Sequence, residues 1–362
     1  MIVKIGDVIS EYSVRNKFDE NIPVYSVTNE KGFCTGYFSK EVASKDKSTY
    51  KIVPRGYFAY NPSRINVGSV DWQKYEDRVI VSPLYVVFGV SDRLDRQYLL
   101  HYLKSDMMLS FIKEYATGSV RDNLKLADLG EFPINLRPVE EQRQIAATLD
   151  KIDDLIAKRR QQLDKLDELV KSRFIEMFGD PVENPHGFRK VALSELAEIK
   201  IGPFGSLLHK EDYIEGGHPL LNPSHIVDGK VAPDSKLTIS DKKYDVLEAY
   251  HLHIGDVVMG RRGEMGRCAV VPSEGFLCGT GSLLIRTKGE VTADYIQKII
   301  SFPSFRKTIE DMAVGQTMLN LNVPIVSKFQ IIKPPIEVQK NYYKFVAQTD
   351  KSKSFDDLEV AA

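Results

Sequence analysis

A chain of 362 residues, 43% hydrophobic and 27% charged, is long enough for two domains of ordinary size and apolar enough to bury substantial cores, which excludes a disordered class. Its formal net charge of −1 and pI near 6.7 exclude a generally basic protein, so any nucleic-acid contact must come from local patches or from partners. Apolar runs stop short of the roughly 18 residues of a membrane span, MIVKIGDVIS has no basic segment ahead of an apolar one, and Cys34, Cys268 and Cys278 show no CxxC pairing; a reduced, cytoplasmic protein is expected.

The first 135 residues read as a mixed α/β domain. Strand-like runs at Val24–Thr28, Tyr57–Tyr60 and Val79–Val90 are separated by Gly, Pro, Asn and Asp clusters. A helical stretch from Arg96 to Tyr115, a polar loop ATGSVRDNL and a short strand at Phe132–Leu136 follow. From Glu140 to Gly179 apolar residues fall at Ile145, Leu149, Ile152, Ile156, Leu163, Leu166, Val170 and Met177, the spacing of a coiled-coil seam interrupted by Arg159 and Arg173. Pro138 before it and Gly179-Asp180-Pro181 after it bound a helix roughly 55 to 60 Å long.

After Pro181 the order restarts. Lys190–Ile201 opens a second α/β domain, with a Gly-rich turn at Gly202–Ser206, strands at Val257–Met259 and Ala269–Val271, a helical stretch from Ala293 to Met312, a loop AVGQTMLNL, a strand at Phe329–Ile332 and a second seam beginning with Tyr342 and Val346. At a constant offset of 197, Tyr98/Tyr295, Ile112/Ile309, Ala116/Ala313, Gly118/Gly315, Asn123/Asn320, Leu124/Leu321, Phe132/Phe329, Ile134/Ile331, Pro138/Pro335, Glu140/Glu337 and Gln142/Gln339 are identical. These are eleven identities in the 45 positions from 98 to 142, where ordinary residue usage gives roughly three. Upstream, Gly56 and Gly255 correspond at an offset of 199. The expected architecture is α+β: two α/β domains in pseudo-two-fold repeat, joined by long antiparallel coiled-coil helices. Its divisions are a first domain over 1–136, a central helix over 137–180, a second domain over 181–333, and a terminal helix and tail over 334–362.

Catalytic signatures are absent. The chain has no GxxxxGK[ST], HExxH or GxSxG, and IGPFGSLL is a turn that presents side chains such as Phe204 and Ser206. Asn61-Pro62 and Asn222-Pro223 are each followed by serine, unlike the Asn-Pro-Pro-aromatic motif of adenine methyltransferases. Pro233-Asp234 with Asp241-Lys242-Lys243 permits a forced nuclease reading, and His251 with His253 shares one strand face with no third ligand at a metal spacing.

Donors instead concentrate in loops. YNPSRINVGS offers Tyr60, Asn61, Ser63 and Arg64, and MGRRGEMGR offers Arg261, Arg262 and Arg267. GSVRDNLK offers Ser119, Arg121, Asn123 and Lys125, and GQTMLNLN offers Gln316, Thr317, Asn320 and Asn322. Arginine pairs with guanine or grips phosphate and amides read adenine edges, while the same residues also serve as turn formers and caps.

With these features the chain resembles the specificity subunits of type I restriction-modification systems. The resemblance rests on FPINLRPVEEQRQIAATLDKID and FQIIKPPIEVQKNYYKFVAQTD, on the AxGxxxxNL loops before them, and on GDVVMGRRGEMGR. It implies that each globular half is a target-recognition domain reading one half of a split sequence in double-stranded DNA, and that the helices set the spacer and recruit two methyltransferase subunits and restriction (motor) subunits. It also implies that this chain is not an enzyme and that S-adenosylmethionine, ATP and Mg belong to partner subunits. A stand-alone nuclease or methyltransferase, and a coiled-coil adaptor without a DNA role, are the rival readings.

Overall fold

Alternate residues of a strand point to opposite faces of its sheet. In Phe58–Tyr60 both faces are apolar: Phe58 and Tyr60 join Phe88, Leu99, Leu103 and Ile112 in one buried cluster, and Ala59 joins Val53, Val79, Val81 and Val87 in another. In the computed structural model this strand accordingly lies inside a four-stranded antiparallel sheet ordered Ile9–Glu11, Val86–Val90, Phe58–Tyr60, Val70–Trp72. The structure describes residues 1–36, 46–115, 123–313 and 320–354. The chain divides into two units, Met1–Arg160 and Gln161–Ala362, and the division falls inside one continuous helix, Val139–Phe178, of 40 residues.

In the first unit the expected helix over 96–115 is two helices, Arg96–Lys104 and Asp106–Tyr115. Asp95 caps the first, its carboxylate accepting from the N–H groups of Gln97 and Tyr98 at 3.0 Å. Ser105 ends it: the backbone there is extended, and its hydroxyl donates to the Tyr102 carbonyl (2.8 Å). The run expected over 79–90 is likewise two strands, Arg78–Val81 and Val86–Val90, because Ser82-Pro83 starts a turn in which the Tyr85 N–H donates to the Ser82 carbonyl (3.0 Å).

The second unit repeats the sheet in the same order, Ala197–Ile201, Ser282–Thr287, Val257–Gly260, Cys268–Val270. It adds a five-stranded mixed sheet containing His218–Leu221 and Phe276–Cys278, which pair in parallel. Its helical stretch is also broken, into Ala293–Ile300 and Pro303–Met312, with Pro303 in the first turn where its missing N–H costs nothing.

The repeat is conserved down to single hydrogen bonds within each unit. The Tyr98 hydroxyl donates to the Asn135 carbonyl and the Tyr295 hydroxyl to the Ile332 carbonyl, each at 3.1 Å. Gln142 accepts from the Asp95 N–H (2.8 Å) and donates to the Arg93 and Arg137 carbonyls; Gln339 accepts from the Thr292 N–H (3.0 Å) and donates to the Pro334 carbonyl. Both glutamines are fully buried, so each ties the start of the later helix to the N-terminal cap of an earlier helix of its unit, Arg96–Lys104 or Ala293–Ile300.

The seam is realised in part. In the second unit, Phe174 and Phe178 are buried against Tyr342 of the terminal helix Ile336–Ser354, with ring centroids 5.5 Å apart in both pairs. Lys353 reaches Asp167 (2.6 Å), so the two segments run antiparallel, and Val170, Met177 and Val346 pack on the same core. Leu163 and Leu166 are half-buried, as is Ile145 in the first unit. Leu149, Ile152 and Ile156, expected in the seam, are instead 37%, 46% and 45% exposed.

Candidate DNA interface

In the first unit the chain leaves strand Phe58–Tyr60 through a turn that Asn61 organises by accepting from the Ser63 N–H (3.2 Å) and hydroxyl (2.9 Å). Asn61, Ser63, Asn123 and Lys125 come together along one cleft of about 830 Å³, with Leu84, 80% exposed, on its wall. Arg64 is exposed beside a smaller hollow that it shares with Asn61. Tyr60 does not join them as a reader. It is fully buried because it shares the inward face with Phe58, burial pushes its hydroxyl well above its usual range, and that hydroxyl donates to the Leu124 carbonyl (3.0 Å).

In the second unit Phe204, Arg261 and Arg262 line a cleft of about 460 Å³ together with Thr280. Phe204 is 62% exposed and Ser206 is exposed beside it. The loop that presents them is held by a close approach: a Cβ on Gly202 would collide with the Gly279 carbonyl oxygen, so only glycine lets the two loops meet.

The three arginines of this unit differ. Arg261 is half-buried and lowered in pKa, first by burial and then by the charge of Arg262; its Nε donates to the Leu321 carbonyl and its N–H to the Gly281 carbonyl, both at 3.0 Å. Arg267 is engaged by Glu264 (2.8 Å from Nη2) and by the Pro223 carbonyl, and Glu264 also binds Arg306 (2.6 Å). Hydrogen bonding from Arg267, ahead of the Arg306 charge, holds the Glu264 carboxyl below its usual range. The fork of Arg267 is therefore spent inside the unit, contrary to its expected role on DNA. Arg262 is exposed and has no hydrogen-bond or ion-pair partner among the described residues.

Asn322, expected to face DNA, caps the short helix Val323–Ser327 by accepting from the Ile325 N–H (3.0 Å). Asn320 has its side-chain oxygen buried without a partner among the described residues. Ser119, Arg121, Gln316 and Thr317 lie outside the described residues. Leu84 and Thr280 were missed by sequence reasoning; each sits in the turn entering the strand at the middle of its sheet, a position that strand alternation with a Pro or Gly break would have marked.

The other candidate chemistry does not assemble. Asp234 accepts from the Lys236 N–H (2.9 Å), Asp241 pairs with His218 (3.1 Å) and Lys243 with Asp212 (3.0 Å), so the nuclease-like residues serve three separate contacts. His251 stacks on Tyr244 (3.7 Å) while His253 pairs with Glu274 (3.0 Å). Among the described residues no group of three or more His, Cys, Asp or Glu side chains is gathered for a metal, and no helix is long and apolar enough to cross a membrane. The three cysteines are free thiols, and burial pushes those of Cys268 and Cys278 up to about 12.

Curated relatives include the MjaVIII and MjaIX type I restriction enzyme specificity subunits of Methanocaldococcus jannaschii, each 23% identical over 73% and 70% of this chain. The matches span 64% and 62% of those relatives, a little under two thirds of their length. Among solved structures, a chain from a study of complex assembly and conformational transition of the type I R-M system superposes with a TM-score of 0.60 at 18% identity. The type I restriction-modification S subunit from M. genitalium does so at 0.57 and 14%. Both cover 100% of this chain and 92% of theirs, and at such identities they establish a shared fold. The sequence match is made twice, once in each unit and on into its helix: residues 2–168 and 185–356 both fit the type I restriction modification DNA specificity domain, and the chain belongs to that family.

Proposed function

We propose that this chain is the DNA specificity subunit of a type I restriction-modification complex, each unit reading one half of a split target in double-stranded DNA. The observation that carries the reading is the duplicated cleft. In both units the loop after the inner sheet strand lines a cavity; in the first, Asn123 and Lys125 of the Asn-Leu segment line it too, and in the second Leu321 is hydrogen-bonded to that loop at Arg261. In the first unit the readers are Asn61, Ser63, Arg64, Asn123 and Lys125. In the second they are Arg262 and Ser206 with Phe204 and Thr280, a guanidinium for guanine or phosphate beside apolar groups suited to a thymine methyl. A near-neutral chain suffices for this role if partner subunits supply most of the phosphate contacts.

Two methyltransferase subunits and restriction subunits are the proposed partners, in the cytoplasm, with S-adenosylmethionine, ATP and Mg²⁺ held by them and no catalysis by this chain. The apolar stripe Leu149, Ile152, Leu155 and Ile156, exposed along the first half of the central helix, supports a docking role for that helix beyond spacing the readers. The test is methylome sequencing of the host with and without the gene. Loss of one bipartite methylated motif is expected; an unchanged set of motifs overturns the reading. Incubating the purified chain with DNA, Mg²⁺ and S-adenosylmethionine gives no cleavage or methylation if the chain is purely a reader.

A further inference from the structure

Leu124 and Leu321, equivalent at the 197 offset, are each pinned in three ways. Both side chains are buried in the main core of their unit. The Leu124 N–H donates to the Pro62 carbonyl (3.1 Å) and the Leu321 N–H to the Arg261 carbonyl (3.0 Å). Pro62 and Arg261 are themselves equivalent at the upstream offset of 199, the offset that relates Gly56 and Gly255, whose backbones share φ +85°.

The third tether is where the units part. The Leu124 carbonyl is reached by the Tyr60 hydroxyl and the Leu321 carbonyl by the Arg261 Nε, both at 3.0 Å. At the 199 offset the counterpart of Tyr60 is Met259, which faces the core in the same way but has no hydrogen to donate. In its place a guanidinium two residues further on reaches the equivalent backbone oxygen. A buried carbonyl left without a donor is costly. Two unrelated side chains, arriving from different positions, meet that need at one backbone atom. Each pinned leucine directly follows the loop asparagine, Asn123 or Asn320, and its N–H binds the other loop; in the first unit the two loops line one cleft, and in the second the tether fixes Leu321 to the loop that carries Arg262 into its cleft.

We propose that Tyr60 and Arg261 are positioning residues that lock the Asn-Leu loop onto the strand-end loop in each unit, so that the reading side chains meet DNA in a fixed arrangement. The proposal rests on the specificity reading above, and its test has one arm that needs no DNA. Hydrogen exchange of the full-length chain follows the Leu124 and Leu321 amides in Tyr60→Phe and Arg261→Lys, the second keeping the charge while removing the fork. Tyr60→Phe should speed exchange at Leu124 on the order of tenfold, the size of one hydrogen bond to a buried carbonyl, and leave Leu321 unchanged; Arg261→Lys should do the reverse.

In the second arm, each variant is assembled with the methyltransferase partners, and methylation rates are compared on the cognate site and on single-base variants of each half-site. Tyr60→Phe should lower discrimination several-fold at every position of the first half-site alone, and Arg261→Lys at every position of the second. A role confined to folding would lower the melting temperature and leave these ratios unmoved. Unchanged exchange, unchanged ratios in a folded variant, or a loss at one base position only, which would make Arg261 a direct base reader, each overturns the proposal. If the wild-type assembly has no sequence preference, the specificity reading fails instead, and the exchange arm still judges the tether.

Discussion

In the first unit the tether is a tyrosine hydroxyl on a wholly buried strand residue; in the second it is a half-exposed guanidinium from the loop itself, with Met259 filling the place of the tyrosine. The first arrangement leaves the loop residues Ser63 and Arg64 exposed and available, whereas the second draws one of two adjacent arginines inward and leaves Arg262 outside. Duplication has therefore preserved a backbone geometry while the side chains around it drifted, which suits the proposal that the two halves share a scaffold and read different bases. Interactions that hold the frame recur in kind: Tyr98 with Tyr295 and Gln142 with Gln339 make matching bonds.

The largest effect that would break this comparison is expected from the core of the second unit. Phe174→Ala removes a buried ring shared by Phe178, Phe302 and Tyr342, at about 3–5 kcal/mol. Thermal denaturation followed by hydrogen exchange should show segments of the second unit opening first, with those of the first unit keeping wild-type protection. Next in size are the buried glutamines. Gln142→Leu and Gln339→Leu each orphan a helix-cap N–H and at least one carbonyl, and each should cost about 1–3 kcal/mol in chemical denaturation. Similar costs for the two would confirm that the frame is symmetric; a marked difference would break the comparison.

The smallest expected effect sharpens the asymmetry. Arg262→Ala should reduce the salt slope of DNA binding by about 1 if the guanidinium sits on phosphate, or cost about 1–3 kcal/mol at a single position if it pairs with guanine. In both cases the change is confined to the second half-site and the melting temperature is unmoved, since the side chain is exposed. An effect on the first half-site would show that the assignment of loops to half-sites is wrong.

Much of this organisation was legible beforehand, because frame residues are constrained by repeated geometry and so stay identical. The strand–Pro–helix junctions around Pro138 and Pro335 and the long helix followed from spacing. The burial of Tyr60 was readable in principle, since alternation in Phe58–Tyr60 puts it on the side of Phe58. The fate of Arg267 was not: Glu264 was visible three residues away, but Arg306, which shares that carboxylate, lies 42 residues off. The heptad pattern likewise identified which residues of the central helix are apolar, not which of them are buried.

By itself the sequence determined the duplicated plan and its elements, because hydrophobic period, Pro and Gly punctuation and repeated identities act locally or at a constant offset. Only the tertiary structure decided which polar side chains are engaged by the fold and which stay exposed at the clefts. That depends on contacts between residues far apart in the chain, Tyr60 with Leu124, Arg261 with Leu321 and Glu264 with Arg306, and a side chain already bonded to its own fold has little left to offer a base.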